Sequence, residues 1–207
     1  MIKNILFDFG GIFMHIDREG PVAAFESLGV HDADELLDTY CQTGLFLLLE
    51  SGRVSREEFV KRLNETYNIS VTEQDIEQAV RRFITNVQEW KFDFLEEEIP
   101  SDVRVMLLSN TNNFIFPWVD EGTYLSNGRS VSSYFERTFL SYRMGVCKPE
   151  PEIFEKIIDE SEIKPEETLF IDDGRRNIQV ANELGFVTYL SENGEDWRPV
   201  LRKMLVR

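Results

Sequence analysis

Asp8, Ser109-Asn110, Lys148 and the pair Asp172-Asp173 are the residues whose types can do chemistry together. Taken singly each is ordinary, since a lone Asp after a strand is usually a turn or cap residue. As a set they suit phosphoryl transfer, which needs positioning and charge neutralisation more than covalent help from the protein. A carboxylate such as Asp8 can be the nucleophile, forming an acyl phosphate that water then cleaves. Gly10 and Gly11 follow it closely and let backbone N–H groups approach a phosphate. Asp172 and Asp173 offer hard oxygen ligands to Mg²⁺, an ion that takes one or two carboxylates, several waters and the phosphate itself. Without a cation, clustered carboxylates repel one another and hold their protons harder. Ser109 and Asn110 can donate hydrogen bonds to phosphate oxygens, and Lys148 brings a positive charge to Asp8 and the transferring group.

Elements able to bring these positions together are visible in the apolar pattern. Ile2 to Phe7, Val103 to Leu108 and Thr168 to Ile171 are apolar on nearly successive positions, as strands of a parallel sheet covered on both faces are. Phe186 to Leu190 and Arg137 to Leu140 are further strand candidates. The principal runs end in polar residues, Asp8, Ser109-Asn110 and Asp172-Asp173, and in an open parallel sheet such ends share the edge where ligands bind. Between Asp17 and about Glu98 the pattern turns helical. Ser55 to Glu58 reads as a capping box before Phe59, Val60 and Leu63, and Thr72 to Asp75 opens a helix carrying Ile76, Ala79, Val80 and Phe83. Asp32 to Glu35 opens another, with Leu36, Leu37 and Tyr40 on its apolar side. A βαβ unit needs only one crossover helix, so this run is expected to form an inserted helical cap. Phe114 to Ser133 reads as a surface loop with aromatics packed beneath it, or as a lip that contacts substrate.

Composition narrows the partners. The chain has 207 residues, with Lys plus Arg at 22 against Asp plus Glu at 38 and a formal charge of −16. Such an acidic surface argues against nucleic acid, whose phosphates need a cationic face. There is no apolar run long enough for a membrane span, and Met1-Ile2-Lys3-Asn4 reaches Asp8 without the apolar stretch of a secretory signal. Cys41 and Cys147 are far apart and match no metal-ligand spacing. The expectation is a soluble cytoplasmic α/β protein, monomeric by default.

At this point the motifs carry a resemblance. Ile5-Leu6-Phe7-Asp8-Phe9-Gly10-Gly11-Ile12 resembles the first motif of the haloacid dehalogenase-like hydrolase superfamily. Leu107 to Thr111, Lys148-Pro149-Glu150-Pro151 and Phe170-Ile171-Asp172-Asp173 are similar to its second, third and fourth, in the right order. Ser109-Asn110-Thr111-Asn112 and Arg143-Met144-Gly145 ahead of Cys147-Lys148-Pro149-Glu150 are similar to a bacterial branch that includes alpha-D-glucose-1-phosphate phosphatase. The resemblance implies a Rossmann-like core with a mainly parallel sheet and helices on both faces. That core would cover residues 1–16 and 91–207, with a helical cap at 17–90. It also implies Mg²⁺ and an aspartyl-phosphate intermediate. It assigns Asp8 as nucleophile and metal ligand, Ser109, Asn110, Lys148 and Gly11 as phosphate contacts, and the Gly10 carbonyl, Asp172 and Asp173 to the metal.

One departure from the family matters. Most of its phosphatases carry a second Asp two residues after the nucleophile, as general acid and then base, and here that position is Gly10. General acid–base catalysis is worth about 10²–10⁴-fold. His15, at the entry to the cap, is either a substitute proton carrier or a satisfied hinge residue. Asn177 either holds an acidic ligand in place or caps its helix, and Glu50, Arg53 and Phe46 are candidates for facing the site from the cap. The leading expectation is a Mg²⁺-dependent phosphatase acting on a small phosphorylated metabolite, a sugar phosphate first. A catalytically silent phosphate-binding relative is the alternative. A dehalogenase is disfavoured by the Asp172-Asp173 pair, and a phosphomutase by the side chain missing at Gly10. A receiver module is disfavoured because its acidic pair precedes the phosphoacceptor.

Overall fold

A computed structural model describes residues 1–38, 42–122 and 124–205; Tyr40 and Cys41 lie outside them. In chain order the elements are β1 (Asn4–Phe7), β2 (Met14–Ile16), α1 (Glu19–Ser27), α2 (Ala33–Leu36), α3 (Gly44–Glu50), α4 (Arg56–Tyr67) and α5 (Glu73–Val80). There follow β3 (Ile84–Val87), α6 (Trp90–Glu97), β4 (Arg104–Ser109), α7 (Phe116–Asp120), β5 (Arg137–Leu140), α8 (Ser141–Met144) and α9 (Pro151–Ser161). The chain ends on β6 (Thr168–Asp172), α10 (Arg175–Glu183), β7 (Val187–Leu190) and α11 (Arg198–Leu205).

Five parallel strands form one sheet in the order β5-β4-β1-β6-β7, so the strand that carries Asp8 is central. Every residue of β1 and of β6 is buried, which is why their sequences are apolar without alternation. Their side chains nonetheless divide between two cores, because successive residues of a strand point to opposite faces. Ile5, Phe7, Leu107, Leu169 and Ile171 pack with Phe92, Phe94 and Leu95 of α6 and with Trp197 and Leu201. Leu6, Met106, Leu108 and Phe170 pack with Ile153, Phe154 and Ile157 of α9 and with Ala181 of α10. The sheet is therefore covered by helices on both faces, as expected of a Rossmann-like α/β core. α9 starts on Pro151, whose fixed φ suits a first helical turn, and its apolar residues recur three and four apart.

α1 to α5 pack around a third cluster of their own, built on Phe25, Phe46, Leu49, Phe59, Leu63, Ile76 and Val80. Local signals start these helices. The Ser55 hydroxyl accepts from Glu58 N at 3.1 Å, and Thr72 with Asp75 forms a reciprocal capping box. Asp32 does not cap α2; its carboxylate accepts the Tyr67 hydroxyl at 2.5 Å and ties α2 to α4 instead. One element has no counterpart in the sequence reading. β2 and β3 pair antiparallel, Met14 with Val87 and His15 with Asn86, and form a two-stranded strap where the chain enters and leaves the helical segment.

The stretch after β4 is more ordered than a surface loop. Asn112 Oδ1 accepts from the backbone N of Phe114 at 3.0 Å and of Ile115 at 3.2 Å, turning the chain into α7. Phe114 is buried among the helices of the third cluster, 6.1 Å from the Phe59 ring and beneath the Arg56 guanidinium at 4.2 Å. This one side chain of the sheet unit thus plugs into the helical unit. Truncation there leaves a cavity the backbone cannot close, so Phe114→Ala should lower stability by about 3–5 kcal/mol in urea unfolding. A loss under about 1 kcal/mol would mean that the ring contributes no anchoring.

Candidate active site

Register places the acidic residues. Phe7 is level with Leu107 on one side and Ile171 on the other, so Asp8 leaves β1 beside Asp172 at the end of β6. The Asp8 N–H still donates to Ile171 O at 2.8 Å, which keeps the nucleophile candidate on the stiff sheet edge. Ser109 closes β4 on the same edge. Strand ends beside the central strand of such a sheet are where open α/β folds bind ligands.

Lys148 reaches this edge from the loop before α9. Its ammonium donates to Asp8 Oδ1 at 2.7 Å, Asp172 Oδ2 at 2.6 Å and Leu108 O at 3.3 Å, and its side chain is buried. The two carboxylates strengthen its hold on the proton against the opposing effect of burial. Asn110 positions that lysine. Its Oδ1 accepts from Lys148 N and its Nδ2 donates to Lys148 O, each at 2.8 Å. The Asn110 amide, expected among the phosphate contacts, lines the cavity and pairs at both ends with the main chain of Lys148.

Asp172 is enclosed. Oδ1 accepts from Gly174 N at 2.7 Å and Asn177 Nδ2 at 2.9 Å, while Oδ2 takes the Lys148 ammonium. Asn177 thus holds an acidic residue in place. Asp173 faces the cavity with Asp8, Gly10, Ser109, Lys148 and Asn177. Gly11 makes room for it: its φ is +70°, and a Cβ there would lie 2.0 Å from Asp173 Oδ2. The loop carrying Gly10 and Gly11 is fixed from behind. Gly11 O accepts from Gly194 N at 2.6 Å, and Ile12 O accepts from Trp197 Nε1 at 3.0 Å and from the buried ammonium of Lys91.

One oxygen from each of Asp8, Asp172 and Asp173 lies within 4.8 Å of the others. Burial pushes the Asp8 carboxyl up to about 7, with Lys148 opposing and Asp172 reinforcing the rise. Burial, then Asp8 and Asp172, push Asp173 up to about 8. Three hard oxygen donors against one ammonium leave an excess of negative charge that a small divalent cation would neutralise, and this donor set fits Mg²⁺.

From the helical side come Gln42 and Glu50. Glu50 is the last residue of α3, is 9% exposed and lines the cavity. Burial pushes its carboxyl up to about 8, Lys148 opposing and Asp8 reinforcing. Gln42 was not legible in the sequence, because it sits outside any motif and its amide bonds back to Asp38. Two other expected cap residues do not reach the site. Phe46 is buried in the helical cluster against Phe25 and Phe59, and Arg53 is exposed. His15, for which two readings stood, does not line the cavity. Alternation on β2 sends Met14 and Ile16 into the cavity wall and His15 outward, where Nδ1 lies 3.2 Å from Thr85 Oγ1.

The comparisons with known proteins agree with this geometry. Residues 2–185 match the model of the haloacid dehalogenase-like hydrolases. The chain is 44% identical over 205 residues to a D-ribitol-5-phosphate phosphatase of Bacteroides thetaiotaomicron, covering 99% of each chain. Its fold is similar to that of a HAD-like family hydrolase from Porphyromonas gingivalis, with a TM-score of 0.95 at 41% identity, covering 100% of this chain and 99% of the other. It is also similar to an Asp-to-Ala mutant of a HAD family enzyme from Bacteroides thetaiotaomicron in complex with magnesium and inorganic phosphate. There the TM-score is 0.90 at 37% identity, covering 98% of this chain and 100% of the other. With the ordered motifs converging on one sheet edge and a family match across most of its length, the chain belongs to the haloacid dehalogenase-like hydrolases.

Proposed function

We propose that the chain is a Mg²⁺-dependent phosphatase that hydrolyses the phosphate monoester of a small sugar or sugar alcohol through an aspartyl phosphate on Asp8. The observation that carries this reading is the Asp8 carboxylate at the sheet edge, one oxygen on Lys148 and the other carboxylates within 4.8 Å. The ribitol-phosphate phosphatase relative and the magnesium–phosphate complex of a second relative support it.

In this reading Asp8 attacks phosphorus and later leaves it, so its position on a rigid strand supplies the alignment. Lys148 orients Asp8 and stabilises the transferring group's charge, while Ser109 and the backbone at Gly11 donate to phosphate oxygens. Asn110 and Asn177 act through Lys148 and Asp172, which they hold. Asp8, the Gly10 carbonyl and Asp173 would hold the metal, while Asp172, expected as a further ligand, has its oxygens engaged by Lys148, Gly174 N and Asn177 and stands behind them; Mg²⁺ would supply charge neutralisation at the phosphate oxygens. Helices in the segment 17–90 serve as a cap that excludes water from the first step. Every residue invoked comes from a single chain, so a monomer suffices for this chemistry.

Phosphate release from pentitol, pentose and hexose phosphates should require Mg²⁺, stop with EDTA and be abolished in Asp8→Asn. Release that survives Asp8→Asn, or that EDTA leaves unchanged, would contradict the reading.

The raised carboxyls give a second test. In metal-free protein Asp8 and Asp173 hold protons toward neutrality, whereas a metal needs them ionised, so Mg²⁺ binding should expel protons. Affinity should climb as pH rises through 7 to 8, by about tenfold per pH unit for each proton expelled. The same raised values stabilise the metal-free fold fully below their ordinary value of 3.8, and that contribution is lost progressively as pH climbs from there to about 7 for Asp8 and about 8 for Asp173. The rise in Tm on adding Mg²⁺ should therefore grow with pH. Calorimetry in buffers of different ionisation enthalpy checks the proton release, and a pH-independent affinity with no release would refute it.

A further inference from the structure

Gly10 leaves the family's proton-carrying position without a side chain, and the space there is already taken. A Cβ on Gly10 would lie 3.2 Å from Ile16 Cγ1 and 3.3 Å from Cδ1. His15 faces away from the cavity. Among the residues that line the cavity, Glu50 is the carboxyl contributed by the helical unit, close enough to Lys148 and Asp8 to feel both charges. Among the described residues its side chain makes no hydrogen bond and no ion pair, although it is 9% exposed. Its carboxyl oxygens are not fully enclosed, so they open onto the cavity, where a substrate can meet them.

Glu50 is also held in place from two directions. Phe46 and Leu49 anchor α3 in the helical cluster. After Glu50 the helix stops, with Ser51 Oγ donating back to Leu47 O at 2.7 Å. Gly52 follows at φ +64°, and a Cβ there would lie 2.0 Å from Tyr142 O. Only a glycine lets this turn rest directly on the main chain of α8. The backbone that carries Glu50 is thereby fixed between the helical unit and the sheet unit, as the support of a group that meets a substrate bound at Asp8 must be.

We propose that Glu50 is a catalytic residue that replaces the missing carboxyl at position 10 and carries the proton in both half-reactions. In the first, Asp8 Oδ forms a bond to phosphorus, the bond from phosphorus to the ester oxygen breaks, and Glu50 gives its proton to the departing alkoxide. In the second, the Glu50 carboxylate takes a proton from water as the water oxygen bonds to phosphorus. The bond from phosphorus to Asp8 then breaks, and both carboxyl groups return to their starting states with inorganic phosphate released.

This inference rests on the phosphatase reading, and the test separates the two. Glu50→Gln keeps the side chain's size and removes the proton. Turnover of alkyl phosphates should fall about 10²–10⁴-fold in kcat, with KM little changed. The first step on 2,4-dinitrophenyl phosphate, whose phenolate leaves without a proton, should keep its burst, and phosphate should accumulate on Asp8. Glu50→Asp should restore part of the alkyl phosphate activity. On the unaltered chain, the rate of Asp8 phosphorylation across aryl and alkyl phosphates should depend weakly on leaving-group pKa. Unchanged alkyl phosphate turnover in Glu50→Gln, an equal slowing of the burst, or a steep leaving-group dependence on the unaltered chain would each overturn the role of Glu50 alone. An unaltered chain that hydrolyses no phosphate ester overturns the phosphatase reading with it.

Discussion

The ammonium of Lys148, lodged between Asp8 and Asp172, is the constraint on which the rest of the site depends. A buried cation is tolerable only when its charge and its donors are fully met, and Lys148 meets this with two carboxylates and the Leu108 carbonyl. Those partners come from three neighbouring parallel strands, so the lysine reports and enforces the register of β4, β1 and β6. Asn110 fixes the lysine's main chain, and Asn177 with the Gly174 N–H fixes the far side of Asp172. Removing Lys148, Asp8 or Asp172 would leave a charge buried without its partner, which is more damaging than never having had the pair.

The same arrangement explains the chemistry. One ammonium cannot balance Asp8, Asp172 and Asp173 in a buried site, so the carboxyls are poised to release protons to solvent when a divalent cation binds. Asp172 has both oxygens satisfied by the protein, whereas Asp173 faces the cavity, so two adjacent residues of one motif have different tasks. Gly11 is the condition for this, since its missing side chain is the space that Asp173 occupies. On the opposite wall, Ile16 fills the room beside Gly10 and Glu50 arrives from α3, so the proton-carrying role passes from the sheet edge to the helical unit.

Much of this was legible in the sequence, for reasons that differ by residue. The strands were readable because a sheet covered on both faces demands apolar residues at nearly every position, and Ile5-Leu6-Phe7 and Leu169-Phe170-Ile171 obey that demand on their face. Asp8, Ser109 and Asp172 were readable because they end such runs. Asn110 was assigned to the right cavity, but its hold on Lys148 was hidden, since nothing local reveals that its amide spans the main chain of a residue far along the chain. His15 was left with two readings because β2 is only three residues long, too short for its alternation to show in the sequence which side faces the cavity. Phe46 and Glu50 lie on the same short helix, and only the packed structure separates the one that builds the cluster from the one that faces the cavity. The β2–β3 strap escaped notice because its partners are separated by the whole helical segment.

The central claim is that Asp8 carries the phosphate covalently and that water then attacks phosphorus. A single turnover in ¹⁸O-labelled water, quenched and mapped by peptide mass spectrometry, tests it most directly. The account predicts a transient, hydroxylamine-sensitive phosphate on the peptide containing Asp8, with ¹⁸O appearing in inorganic phosphate and none in the Asp8 carboxylate. Label in the Asp8 carboxylate would mean that water attacks carbon instead of phosphorus. Labelled phosphate formed with no covalent adduct at any quench time would mean direct hydrolysis. Either result would contradict the account.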